Sequence, residues 1–326
     1  MPLTLRWFPQ SWLQMTTAQG TVISIDPAYA SRHFRGYQLG GRGPSAVRGL
    51  PGALPPSDLI LLTHKHHDHT HPTTIARLLK SDTLIVAPAA CRKALNRLAG
   101  VRARFVSPGD HVAHLDLHIE AVPAYNTREG TSLFKLHKPG RGVGYLVTTG
   151  NMRIYHAGDT DFVPEMRALA PGTDDSTAAP SPPHMGAMHE LETGAGRTKV
   201  TEARAIGILT AGKTAGGTRL GGVANPQVST RLDAAFLPIG GIFTMNVKEA
   251  AQAASAIRPR LLVPMHRLRS DPTRLAHMLK DLAPEVDVHA LRVGEEIRLS
   301  PLTEAAREDV QAPARPPAFS ASYSSA

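Results

Sequence analysis

A chain of 326 residues is long enough to bury a substantial core, as one large α/β domain or two smaller ones. Its net charge of +9 favours an anionic partner, but the arginines are dispersed and only 5% of residues are aromatic, which disfavours nucleic acid and points to a small anionic substrate. No run of about eighteen apolar residues occurs, so no membrane span is expected. Residues 1–6 lack signal-peptide order and Cys91 is the single cysteine, which together predict a cytoplasmic protein without an intramolecular disulfide.

Short apolar stretches at 3–8, 12–15 and 21–25 read as the strands of an opening meander, closed by the Asp26-Pro27 turn. Residues 36–57 are rich in glycine and proline and form a long loop with Arg42 and Arg48 in it and Arg32 and Arg35 just before it, read as a surface excursion. Leu59-Ile60-Leu61-Leu62 then predicts a strand buried on both faces. At its end stands His64-Lys65-His66-His67-Asp68-His69, four imidazoles and a carboxylate in six residues. Neutral imidazole and carboxylate suit zinc, manganese or iron. In an extended segment His64 and His66 point the same way and can share one ion. Asp68 and His69 follow a turn and can reach a second.

Further along, residues 73–79 carry apolar positions at helical spacing, 83–87 read as a strand and 88–99 as a helix closed by Gly100. Residues 101–106 and 112–122 supply strands, with His111, His114 and His118 read as surface imidazoles. His137 lies in the loop before a strand at 144–149, within reach of a cleft where it could assist a substrate or a metal shell. Residues 171–231 lose amphipathic periodicity and read as an insertion. Inside it, Gly207–Thr214 spell Gly-x4-Gly-Lys-Thr, but the following Gly-rich stretch is a poor helix former, so the phosphate-loop match is read as chance. Regular structure resumes at 234–238. Asn246 and Glu249 form a capping box for a helix to about 257, and 261–263 is a strand leading to His266. Asp271-Pro272 starts a helix, 288–293 with 296–299 read as a closing hairpin, and 303–326 is a flexible tail.

The His-x-His-x-Asp-His pattern of His64, His66, Asp68 and His69 resembles the binuclear motif of the metallo-β-lactamase superfamily. Val122-Pro123-Ala124-Tyr125-Asn126, Ile154-Tyr155-His156-Ala157-Gly158-Asp159-Thr160-Asp161, Leu237-Pro238-Ile239-Gly240-Gly241 and Val263-Pro264-Met265-His266 resemble its ascorbate-phosphate-lactonase-like branch. The resemblance covers roughly 3–170 and 232–300. It implies an α/β protein, a four-layer αββα sandwich over residues 1–302, interrupted by the insertion at about 171–231.

The resemblance also implies a site. Asp26 matches the aspartate that braces the metal loop. The first ion would take His64, His66 and Asp159, with Asn126 or water where many members offer a third histidine. The second would take Asp68, His69, Asp159 and His266. Asp159 bridges, because a carboxylate has two oxygens and can bind two cations. His156 and Asp161 beside it would orient ligands. Asp68 is also the expected general base, and Asp68 and His137 are the candidate catalytic residues. The implied activity is hydrolysis of an ester, lactone or phosphoester by a hydroxide activated between two divalent ions, zinc favoured over manganese or iron. A nuclease of the same fold and a noncatalytic metal-binding protein are the alternatives, and homo-oligomerisation stays open.

Overall fold

A computed structural model describes residues 2–28, 54–172 and 231–301. The opening strands β1 (Leu3–Phe8), β2 (Trp12–Thr16) and β3 (Val22–Ile25) pair antiparallel, as the meander predicts. The chain then switches to parallel pairing through β4 (Leu59–Leu61), β5 (Leu84–Pro88) and β6 (Arg102–Val106). A second run repeats this plan. The strands β7 (His111–His114), β8 (Leu117–Pro123), β9 (Val143–Thr149) and β10 (Met152–His156) are antiparallel. They continue in parallel through β11 (Ala234–Pro238), β12 (Leu261–Met265) and β13 (Asp287–Val288). The last strand, β14 (Glu296–Leu299), returns to pair with β1, so each sheet has seven strands.

Period-two alternation decides the layers. Leu59 and Leu61 face inward, sharing a core with Ile119, Tyr145, Val147, Ile154 and Phe236 of the other sheet. Ile60 and Leu62 face outward and pack with Ile75 and Leu78 of helix α1 (Pro72–Leu78) and Leu95 of α2 (Arg92–Leu95). Helices α3 (Val247–Ile257) and α4 (Pro272–Leu282) bring Ala250, Ala254, Leu275 and Leu279 onto the main core. The result is the expected αββα sandwich of two similar halves.

Three local expectations are corrected. The stretch 88–99 is a 3₁₀ turn at Ala89–Cys91 and the single-turn α2, not one long helix. The two final strands form no hairpin: β13 pairs with β12 and β14 with β1, on different sheets, although Val288 of one and Ile297 and Leu299 of the other pack on the same central core. Asn246 does cap α3, accepting from Glu249 N–H at 3.0 Å. However, the Glu249 carboxylate does not reach back to close a box. It accepts from Thr131 N–H (2.8 Å), from the Thr131 hydroxyl and from Phe162 N–H (2.9 Å), tying a distant loop to the helix.

That tie makes a testable difference. Glu249→Ala leaves these donors without their charged acceptor, and hydrogen bonds to ionised groups contribute about 1.5–3 kcal/mol each. A loss of about 2–3 kcal/mol is expected from denaturant unfolding. A capping box alone would cost nearer 1 kcal/mol.

Most of 36–57, nearly all of the insertion at 171–231 including the whole Gly207–Thr214 pattern, and all of the tail at 303–326 lie outside the described residues.

Candidate metal centre

The centre forms where the C-terminal ends of β4, β10 and β12 meet the loop between β8 and β9. The chain leaves β4 at Thr63, whose N–H and hydroxyl both donate to the buried Asp26 carboxylate (2.7 and 2.6 Å). Because the Thr63 hydrogen goes to Asp26, Thr63 Oγ1 accepts from His64 Nδ1–H at 2.9 Å. Asp26 also takes His69 Nδ1–H at 2.7 Å. One carboxylate thus orients two imidazoles and leaves the Nε2 of both facing the centre. Asp26 has the bracing place expected of it.

After β10, His156 uses both ring nitrogens on backbone: Nε2 donates to Ser11 C=O at 2.8 Å and Nδ1 accepts from Gly158 N–H at 3.3 Å. It shapes the turn that presents Asp159. Gly158 has φ +64°, and a Cβ there would stand 3.0 Å from Val143 O and 3.1 Å from Thr63 Cβ, so the turn needs glycine. Beyond β12, His266 sits at φ 44°, an unusual backbone for a non-glycine residue and one that clusters at functional sites. Its carbonyl lies so near Gly240 that a Cβ would meet it at 2.6 Å.

Two groups of donors result. His64, His66 and His137 lie with ligand atoms within 4.8 Å of one another, and so do Asp68, His69 and His266. Asp159 stands between them. Its Oδ1 is 3.3 Å from His69 Nε2, and its Oδ2 lies 3.4 Å from both His137 Nε2 and His266 Nε2 and 3.9 Å from His64 Nε2. Asp68 Oδ2 is 3.5 Å from His266 Nε2 and 3.9 Å from His69 Nε2. Asp26, His64 and His69 also cluster, but both Asp26 oxygens are committed to Thr63 and His69 Nδ1.

His137 is placed deeper than the sequence reading had it. Its Nδ1 faces two acceptors at 3.1 Å, Asn126 Oδ1 and Phe243 O, so it carries the proton there. Its Nε2 points at His66 Nδ1, 3.2 Å away. Asn126, expected as a weak oxygen ligand, is otherwise engaged. Its Oδ1 also accepts from His137 N–H at 2.8 Å and its Nδ2 donates to Phe243 C=O at 3.0 Å. The geometry presents Asn126 as the holder of a third histidine rather than as a ligand. Asp161 likewise stands away from the centre, accepting from Thr127 N–H, Ser132 N–H and hydroxyl, and Lys135 Nζ. It ties down the loop that carries His137. Thr63 and Phe243 were missed; the Thr-His adjacency was the only sequence signal for either.

The donors fit a divalent cation. His64 Nε2, His69 Nε2, Asp159 Oδ1 and both His266 nitrogens are buried without a hydrogen-bond partner. Such orphans cost about 1–3 kcal/mol each unless something binds them. Electrostatics agree. Burial, then the neighbouring His69, drives the His64 imidazole well below its usual range, and burial lowers His66 and His137. Burial opposes charge on His69 too, but Asp159, Asp26 and Asp68 outweigh it and hold that ring well above its ordinary range. His266 is raised in the same way by Asp159 and Asp68. Burial works against ionised Asp68 and Asp159, yet His69 and His266 overcome it and keep both carboxyls below the usual carboxylate range. The pocket stores positive charge on protons where a cation would replace them.

An αββα sandwich with two His/Asp donor groups joined by one carboxylate at its strand ends defines a class of metallo-hydrolase folds. The family comparisons agree: a β-lactamase superfamily domain matches residues 23–206, and a second domain of the same description matches 220–266. The chain belongs to the β-lactamase superfamily. A UPF0173 metal-dependent hydrolase of Caldivirga maquilingensis is 26% identical over 254 residues, 76% of this chain and 83% of that protein. A proposed metal-dependent hydrolase of known structure from Parabacteroides distasonis is 27% identical, with a TM-score of 0.58 over 88% of this chain and 91% of that one. Igni18, a metallo-hydrolase of Ignicoccus hospitalis, shares the fold at 21% identity, with a TM-score of 0.57 over 92% of this chain and 99% of its own. Among the described residues no helix is long and apolar enough to cross a membrane.

Proposed function

We propose that the protein is a metal-dependent hydrolase, as its relatives are described, with two divalent ions, zinc favoured, acting on an ester, lactone or phosphoester of a small anionic substrate. The observation that carries this is Asp159, buried between two histidine-rich donor groups with its two oxygens turned to different imidazoles. His64, His66, His137 and Asp159 would hold one ion, and Asp68, His69, His266 and Asp159 the other. Bound ions would supply Lewis acidity and acidify a water to a pKa near 7.

The chain's own residues do the rest. Asp26 and Asn126 take the Nδ1 protons of His69 and His137, so Nε2 of each is the nitrogen presented to a bound cation. Asp68 is the more accessible of the two central carboxylates, its side chain 22% exposed against 3% for Asp159. Ionised and beside solvent, it is placed to accept a proton during hydrolysis. A single cysteine, buried and unpaired at Cys91, is compatible with a reducing compartment such as the cytoplasm.

Elemental analysis after reconstitution with zinc, manganese or iron, followed by a screen of lactones, esters and phosphodiesters, tests this reading. Up to two ions per chain and turnover in one class are expected. Asp68→Asn should keep part of the metal while turnover falls by ~10²-fold or more, the scale of a lost positioned base. Protein that takes up no metal, or an Asp68→Asn variant of undiminished turnover, would count against it.

A further inference from the structure

An open-mouthed cavity lies against the His64, His66 and His137 side of the centre, with Asp159 in its wall. Its wall combines two chemistries. Lys65 and Arg141 line it, and neither has an acidic partner among the described residues, whereas Lys135 nearby is paired with Asp161. Arg141 is held close because the next residue is Gly142, where a Cβ would meet His64 Cβ at 3.2 Å. Ala124, Leu136 and Val143 add an apolar stretch of wall.

Leu136 continues into a patch. Six large hydrophobic side chains are exposed among the described residues, and four of them, Leu133, Phe134, Leu136 and Ile242, belong to two neighbouring loops beside the centre. Backbone hydrogen bonds join those loops, Phe134 N–H to Ile242 C=O at 2.8 Å and Leu133 N–H to Gly241 C=O at 3.2 Å. The Phe134 ring meets Phe243, whose carbonyl holds His137. Exposed apolar side chains gathered next to a pocket mark a binding surface. Continuity through Leu136 makes the substrate its occupant.

We propose that the substrate is an amphiphilic anion: its acidic group lies between Lys65 and Arg141, and its hydrocarbon or aromatic part lies on Leu136 and runs out over Phe134. This rests on the hydrolase reading and adds the chemical class that the cavity selects. Charge supplies recognition at the two cations and burial of apolar surface supplies it at Leu136 and Phe134.

Calorimetry on the full-length zinc-loaded protein, with 4-phenylbutyrate, 4-phenylbutyramide and butyrate as probes, tests both ends separately. Phenylbutyrate should bind about 10-fold or more tighter than either other probe, the scale of one charge-assisted hydrogen bond or one buried ring. In the double variant Lys65→Ala/Arg141→Ala the preference for acid over amide should vanish while that for phenylbutyrate over butyrate stays. In Phe134→Ser/Leu136→Ser the reverse should hold. Zinc content and sedimentation should match the parent protein in both; where a double variant does not fold, Arg141→Gln and Leu136→Ser alone give the same comparisons. An acid preference that survives loss of both cations would place the acidic group on the ions and overturn the proposal. A phenyl preference indifferent to Phe134 and Leu136, or a change of oligomeric state in their variant, would also overturn it, the latter by making the patch a subunit contact. Failure to retain zinc, manganese or iron alike would instead mark failure of the hydrolase reading.

Discussion

Asp159→Ala is expected to empty both ion positions at once and to reduce turnover by about 10³-fold or more, since metal charge is worth several kcal/mol at the transition state. The reason is positional. Among the described residues Asp159 is the carboxylate that faces the Nε2 atoms of both donor groups, His64 and His137 on one side and His69 and His266 on the other. The oxygens of Asp26, also near His64 and His69, are committed to Thr63 and His69 Nδ1. Asp68 reaches only His69 and His266. Asp68→Ala should therefore empty mainly the second position and spare the first. Elemental analysis of the two variants beside the parent separates a shared ligand from an unshared one. Two ions per chain retained in Asp159→Ala would refute the bridging assignment.

The second large effect is expected at Asn126. Asn126→Ala removes the acceptor for both His137 N–H and His137 Nδ1–H and the donor to Phe243 C=O. Loss of such an orienting partner typically costs 10–100-fold in metal affinity, so about that weakening is expected at the position held by His64, His66 and His137. Asn126→Asp keeps the acceptor oxygen and should retain most of the affinity. Asn126→His is the informative contrast. Were Asn126 a substitute ligand, a histidine there would tighten the site. With His137 already presenting Nε2, the new ring displaces its holder and the site weakens. Competition titration against a chromophoric chelator reads all three, and tighter binding by Asn126→His would restore Asn126 as a ligand.

Local chemistry was legible wherever it lay in a few consecutive residues. His64 to His69 crowd metal-binding groups at a strand end, and Leu59 to Leu62 read as buried on both faces because they are. Asn246 and Asp271 announced the starts of two helices through capping, which acts over three residues. The αββα order, and Asp159 and His266 as candidate ligands, became legible through resemblance, since nothing near those residues states what they face.

What the chain alone determined, then, is most of the strands and the two capped helices, the metal-loop chemistry and the exclusion of an intramolecular disulfide, because each depends on side-chain type and short-range spacing. Tertiary structure decided the rest. Asn126 and His137 are eleven residues apart in a loop, and which of them faces the centre depends on Phe243 C=O, more than a hundred residues further on. Glu249 satisfies a short-range pattern for a capping box, yet its carboxylate serves Thr131 and Phe162. The last two strands look like a hairpin in sequence but pair on different sheets. In each case a local option competes with a long-range partner that satisfies more buried polar groups or more apolar surface, and the larger saving prevails.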